Sequence, residues 1–91
     1  MECKNLYTNV FSEIGFGIQP FKIVNYNVCY DGMYGVEIVE KSGVFTESDI
    51  VYISKDKYLV IDIIKYLHEH AIDIISCRDV VNDLLTKVSA K

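Results

Sequence analysis

A chain of 91 residues forms one small domain, and with 51% apolar composition it cannot hide every apolar side chain. A net charge of −4, with nine scattered Lys and Arg, argues against binding a nucleic-acid backbone. The longest apolar runs, Ile50–Ile53 and Tyr58–Ile61, are far too short to span a bilayer.

Residues 1–20 admit two readings. Leu6, Tyr7, Val10, Phe11 and Ile14 recur at three- and four-residue intervals, which favours a short helix ending at Gly15. Thr8, Val10 and Phe11 are also good strand formers, so an extra strand is the alternative. Gly15 to Pro20 reads as a loop. The segment is expected to be mobile, or to dock on the sheet edge or on a second chain, with residues 21–91 forming the single domain proper.

Phe21 to Tyr30 alternates as a half-buried strand, with Val24, Tyr26, Val28 and Tyr30 on one face. Asp31-Gly32 is a turn signal, and Met33 to Lys41 follows as a second strand. A two-residue loop would oppose Tyr26 to Glu37, setting apolar against polar. A three-residue loop, Tyr30-Asp31-Gly32, instead pairs Val28 with Tyr34, Tyr26 with Val36 and Val24 with Ile38, and places Gly32 at a left-handed position. Ser42-Gly43 makes the next turn. Val44 to Ile53 is a third strand, with a polar first half suited to an exposed edge.

Two amphipathic helical patterns complete the chain. In the first, Ser54 is expected as N-cap, and Val60, Ile64, Leu67 and Ala71 form a stripe flanked by Ile63. In the second, Cys77, Val80, Val81, Leu84, Leu85 and Val88 form a full apolar face. Ser76 with Asp79 approximates a capping box, and Ile75 is placed to staple onto Val80. The expected fold is α+β, a three-stranded antiparallel meander with two C-terminal helices packed on one face.

Candidate chemistry is sparse. His68 and His70 lie two apart on a helix, roughly 200° around the axis, so they cannot share a metal ion. Cys3, Cys29 and Cys77 lack disulfide or zinc spacing and are expected as reduced thiols. Cys77 opens the second helix beside Arg78, where a reactive thiol is conceivable, but it also completes the core face. Asp79 and Asp83 lie four apart on one helix face, and with Asn82 and Glu69 they offer an acidic site for a cation or a basic partner, although solvated acids are the commoner case. Gly15-Phe16-Gly17 is no phosphate loop, and no nucleophile elbow or catalytic triad can be assembled.

Three segments carry a resemblance: Tyr34-Gly35-Val36-Glu37-Ile38, Ile53-Ser54-Lys55-Asp56, and Asp79-Val80-Val81-Asn82-Asp83-Leu84-Leu85. Together they resemble a family of small uncharacterised proteins from spore-forming Gram-positive bacteria, classed as a domain of unknown function, over about residues 21–86. Ile74 and Ser76 stand where that family has a Pro-x-His, and Asn82 stands where it has Glu. The resemblance implies a fold and no activity.

These readings lead to a non-enzymatic protein-interaction or regulatory module, with a protein partner or self-association as a homodimer, and with Asp79, Asn82 and Asp83 as the candidate partner-binding residues. No catalytic residue, cofactor, metal, nucleic acid or membrane is expected. The opening Met1-Glu2-Cys3-Lys4 does not read as a signal peptide, so a cytoplasmic location is expected. The alternative is a small-molecule or metal-responsive sensor, or a minor enzyme, using Cys77 or the Asp79/Asp83 face.

Overall fold

A computed structural model describes residues 2–11 and 21–89, with side chains as far as residue 86. Strands β1 (Glu2–Phe11), β2 (Lys22–Tyr30), β3 (Tyr34–Ser42) and β4 (Phe45–Ser54) precede helices α1 (Lys57–Glu69) and α2 (Cys77–Ser89). The strands pair antiparallel in chain order. The fold is therefore α+β with the helices after the sheet, but the sheet has four strands, not three.

The added strand is β1, where a helix was favoured. Its register shifts between Asn5 and Tyr7, leaving Leu6 as an extra residue opposite no partner. The bulge breaks the two-residue period, so Leu6, Tyr7 and Phe11 all pack against the core from an extended chain. That spacing imitates one face of a helix. The loop expected at Gly15 to Pro20 lies outside the described residues.

The β2–β3 hairpin turns through Asp31-Gly32-Met33, one residue later than expected. Tyr30 pairs with Tyr34, Val28 with Val36 and Tyr26 with Ile38. The pairing differs by two residues from the expected register, so every side chain keeps its expected face. The Tyr30 and Tyr34 rings, 4.6 Å apart, close the hairpin end. Gly32 takes the left-handed conformation there, at φ +77°. The next hairpin turns over Gly43-Val44.

Val24, Tyr26, Val28, Val36 and Ile38 make the sheet half of the core; Val60, Ile63, Ile64, Leu67, Cys77 and Val81 make the helix half. Val80, Leu84 and Leu85 pack at its margin, while the Val88 side chain lies outside the described set. The cap of α1 is Asp56, which accepts from the amides of Tyr58 and Leu59 at 3.0 and 3.4 Å. Ser54 instead accepts from the Asp56 amide. An N-cap residue needs an extended backbone followed directly by helical turns, and Asp56 has that place. At the other end Ala71 is exposed and outside the stripe, with φ +50°. Its amide donates to the His68 carbonyl and that of Ile72 to the Leu67 carbonyl, a Schellman closure.

Two substitutions test this geometry by denaturant unfolding. Ala71 occupies a left-handed position that suits glycine, so Ala71→Gly is expected to stabilise the protein by about 0.5–1 kcal/mol. A Cβ on Gly35 would lie 2.6 Å from the Val51 carbonyl oxygen and 2.9 Å from the Tyr52 Cα, at the β3–β4 bulge. Backbone cannot yield there as a side chain would, so Gly35→Ala is expected to destabilise by about 1–3 kcal/mol.

Candidate functional site

The connector between α1 and α2 meets the end of the β3–β4 hairpin. Glu40 bonds Lys22 at 3.0 Å and accepts the Ile74 amide at 3.4 Å, so one carboxylate seats the connector on the sheet. Asp73 accepts the Ser76 amide at 3.0 Å and tightens the chain before α2. Ile75 is consequently turned outward, 84% exposed, and makes no staple onto Val80. Phe45, 75% exposed, stands across from it. Glu40, Ser42, Phe45, Glu47, Ile74 and Ile75 line a shallow groove of about 230 Å³. Val44 continues the patch from the hairpin tip, 94% exposed. Three large apolar side chains held in water at one end of a small domain are unusual without an interaction role.

The sheet face away from the helices carries polar side chains in register. The Asn5 amide donates to Asn27 at 2.9 Å, and Asn27 donates to Glu37 at 2.9 Å. Thr8 donates to Asn25 at 2.8 Å. Beside them Cys3 and Cys29, directly opposed on β1 and β2, form a disulfide. This overturns the expectation of three reduced thiols, because pairing Cys3 with Cys29 requires β1 to be a strand. Among the described residues, Cys3, Cys29 and Glu37 are the three metal-ligating side chains that converge, with ligand atoms within 4.8 Å of one another.

Cys77 is buried in the core, and burial pushes its pKa up to about 11. Its neighbour Arg78 turns away to form a two-pronged ion pair with Asp49, Nε to Oδ2 at 2.7 Å and Nη2 to Oδ1 at 2.8 Å. Asp49 reaches it because Asp49 pairs with Ile38 and so shares the helix-covered face. The Arg78 hydrogen bonds hold the Asp49 carboxyl below its ordinary value.

His68 stacks on Tyr7 at 4.5 Å, whereas His70 stacks on Tyr66 at 4.0 Å, so the two imidazoles serve different neighbours. Asp79, Asn82 and Asp83 are all exposed on α2. The groove escaped sequence reading because Val44 and Phe45 sit in an otherwise polar edge and Ile75 looked like a staple. Cys29 and Glu37 share a face in the expected hairpin, but only the observed register, with Glu37 opposite Asn27, brings them together, and Cys3 was hidden by the helix reading of β1.

Residues 19–87 match a family of unknown function, DUF6514, and the chain belongs to that family. No curated protein and no solved structure matches it. No helix among the described residues is long and apolar enough to cross a membrane.

Two measurements probe the buried thiol and the ion pair. At pH 8, Cys77 in the native protein is expected to alkylate at least about tenfold more slowly than in the denatured chain, as read by mass spectrometry. For Asp49 the folded pKa is depressed, so the pair stabilises above the unfolded carboxyl value of about 3.9 and loses that contribution as pH falls through the folded value. Asp49→Asn is therefore expected to be less stable than the parent at pH 7, with the difference narrowing as pH falls below about 3.9.

Proposed function

We propose that this member of the family is a non-enzymatic interaction module that seats a protein partner on the Val44–Phe45–Ile75 end of the domain. The observation that carries the reading is the groove itself, two exposed apolar walls fixed by the Glu40 bond to the connector and rimmed by Glu47. A partner that fills it with an apolar side chain and presents basic residues to the rim gains both burial and charge complementarity. Self-association through the same patch would bring Glu47 and a net charge of −4 against their own copies. A basic heterologous partner is therefore favoured over a homodimer. The exposed Asp79, Asn82 and Asp83 of α2 are a second acidic surface available to such a partner. The enclosed, poorly ionised Cys77 supports the absence of thiol catalysis.

The test is crosslinked capture from native cells with the full chain as bait, comparing the parent with Phe45→Asp/Ile75→Asp and with Asp79→Asn/Asp83→Asn. The reading expects a discrete partner whose recovery falls at least about tenfold with the groove variant, since central apolar anchors commonly each contribute over 1 kcal/mol. A smaller loss is expected with the α2 variant. A partner retained undiminished by the groove variant, or a dimer in solution abolished by it, would contradict the proposal.

A further inference from the structure

A second observation, on the opposite face of the sheet, points beyond docking. Cys3 is exposed at the start of β1, Cys29 is buried opposite it, and Glu37 of β3 stands within 4.8 Å of their sulfurs. One Glu37 oxygen is held by the Asn27 amide, which is itself held by Asn5. That chain of hydrogen bonds fixes the carboxylate and leaves its second oxygen for a ligand. A neutral disulfide needs no counter-ion, whereas two thiolates around a cation take an adjacent, hydrogen-bonded carboxylate as a third ligand.

We propose that the reduced Cys3–Cys29 pair and Glu37 form a redox-gated site for a single zinc ion, with water as the fourth ligand. Zinc takes two thiolates at about 2.3 Å and a carboxylate oxygen at about 2.0–2.2 Å in a tetrahedron whose sulfur–sulfur edge is about 3.8 Å. The Cys3 and Cys29 Cα atoms lie 4.0 Å apart across the β1–β2 pair, so with the covalent bond gone, side-chain rotation alone brings the two sulfurs to that separation. A Glu37 carboxylate oxygen lies within 4.8 Å of both sulfurs, and a shift of about 1 Å brings it to the sulfur–oxygen edge of such a tetrahedron. The gating step is a thiol–disulfide exchange with a dithiol reductant. The protein disulfide accepts two electrons and two protons to become two thiols, while the reductant's two thiols become its disulfide. Zinc then displaces the two thiol protons to solvent as two Zn–S bonds form. While the Cys3–Cys29 bond is intact, neither sulfur is a thiolate and the site is closed. Asn27 is a positioning residue that orients the carboxylate through its hydrogen bond.

The test uses the full chain in oxidised form and in a form reduced and then freed of reductant without air. Each is titrated with Co²⁺ as a spectroscopic probe and then with Zn²⁺ in competition. The reduced protein is expected to bind one equivalent with a sulfur-to-cobalt charge-transfer band, to release cobalt to zinc, and to discharge two protons. The oxidised protein is expected to show no such band, an internal control that needs no substitution. Glu37→Gln and Asn27→Ala are each expected to weaken zinc binding at least about tenfold with the band retained. Cys77→Ser is expected to leave it unchanged. No thiolate band in the reduced parent, equal binding by the oxidised form, loss of the band in Cys77→Ser, or unchanged affinity in Glu37→Gln would each overturn the proposal.

Discussion

The Tyr26 hydroxyl ties the β1–β2 pair to the C-terminal end of α1, a connection the sheet ladder alone does not make. Its ring is fully buried between the sheet and α1, and its hydroxyl donates to the Ile72 carbonyl at 2.6 Å. The Asn9 amide of β1 donates to the Tyr26 hydroxyl oxygen at 3.4 Å and to the His68 carbonyl at 3.0 Å. One polar cluster thus connects β1, β2 and the C-terminal end of α1. Burial raises the Tyr26 pKa, so the hydroxyl keeps its proton and remains a donor. A phenol in a dry core without partners would cost stability; here it is satisfied and sets where the helix ends.

The groove depends on that placement. The Schellman turn at Ala71 and Ile72 directs the chain into the connector, whose Ile74 amide is then caught by Glu40, and Ile75 is left facing water at the groove. On the other side, the β1–β2 ladder, which Asn9 anchors to the end of α1, brings Cys3 over Cys29 and Asn5 over Asn27. The Asp49–Arg78 pair performs the corresponding task for α2, clamping its first turn to the edge strand. The helix-covered face is therefore the scaffold, and the exposed groove and polar face are what it presents.

Much of this architecture is legible in the sequence where a period or a turn residue is unambiguous. The alternation of Val24, Tyr26 and Val28, the glycine at the first turn and the stripe of Cys77 and Val81 all lead to the observed faces. The failures have local causes. A bulge at Leu6 converts a strand's spacing into a helix's. A three-residue loop can be set one residue early without moving any side chain to the wrong face, so the hairpin register is off by two while the core remains correct. Ser54 and Asp56 are equally good caps in composition, and the end of β4 decides between them. The disulfide, the Glu37 cluster and the Asp49–Arg78 pair each join segments distant in the chain, and no local pattern announces them.

If Tyr26 is the joint through which β1 and the end of α1 depend on each other, its hydroxyl should control the opening of both. Native-state hydrogen exchange of the parent and Tyr26→Phe measures this directly, residue by residue. Faster exchange is expected together at the β1 amides around Asn9 and at those of Ala71 and Ile72, with the β3–β4 ladder little changed. Faster exchange confined to the helix end, with β1 as protected as in the parent, would contradict it.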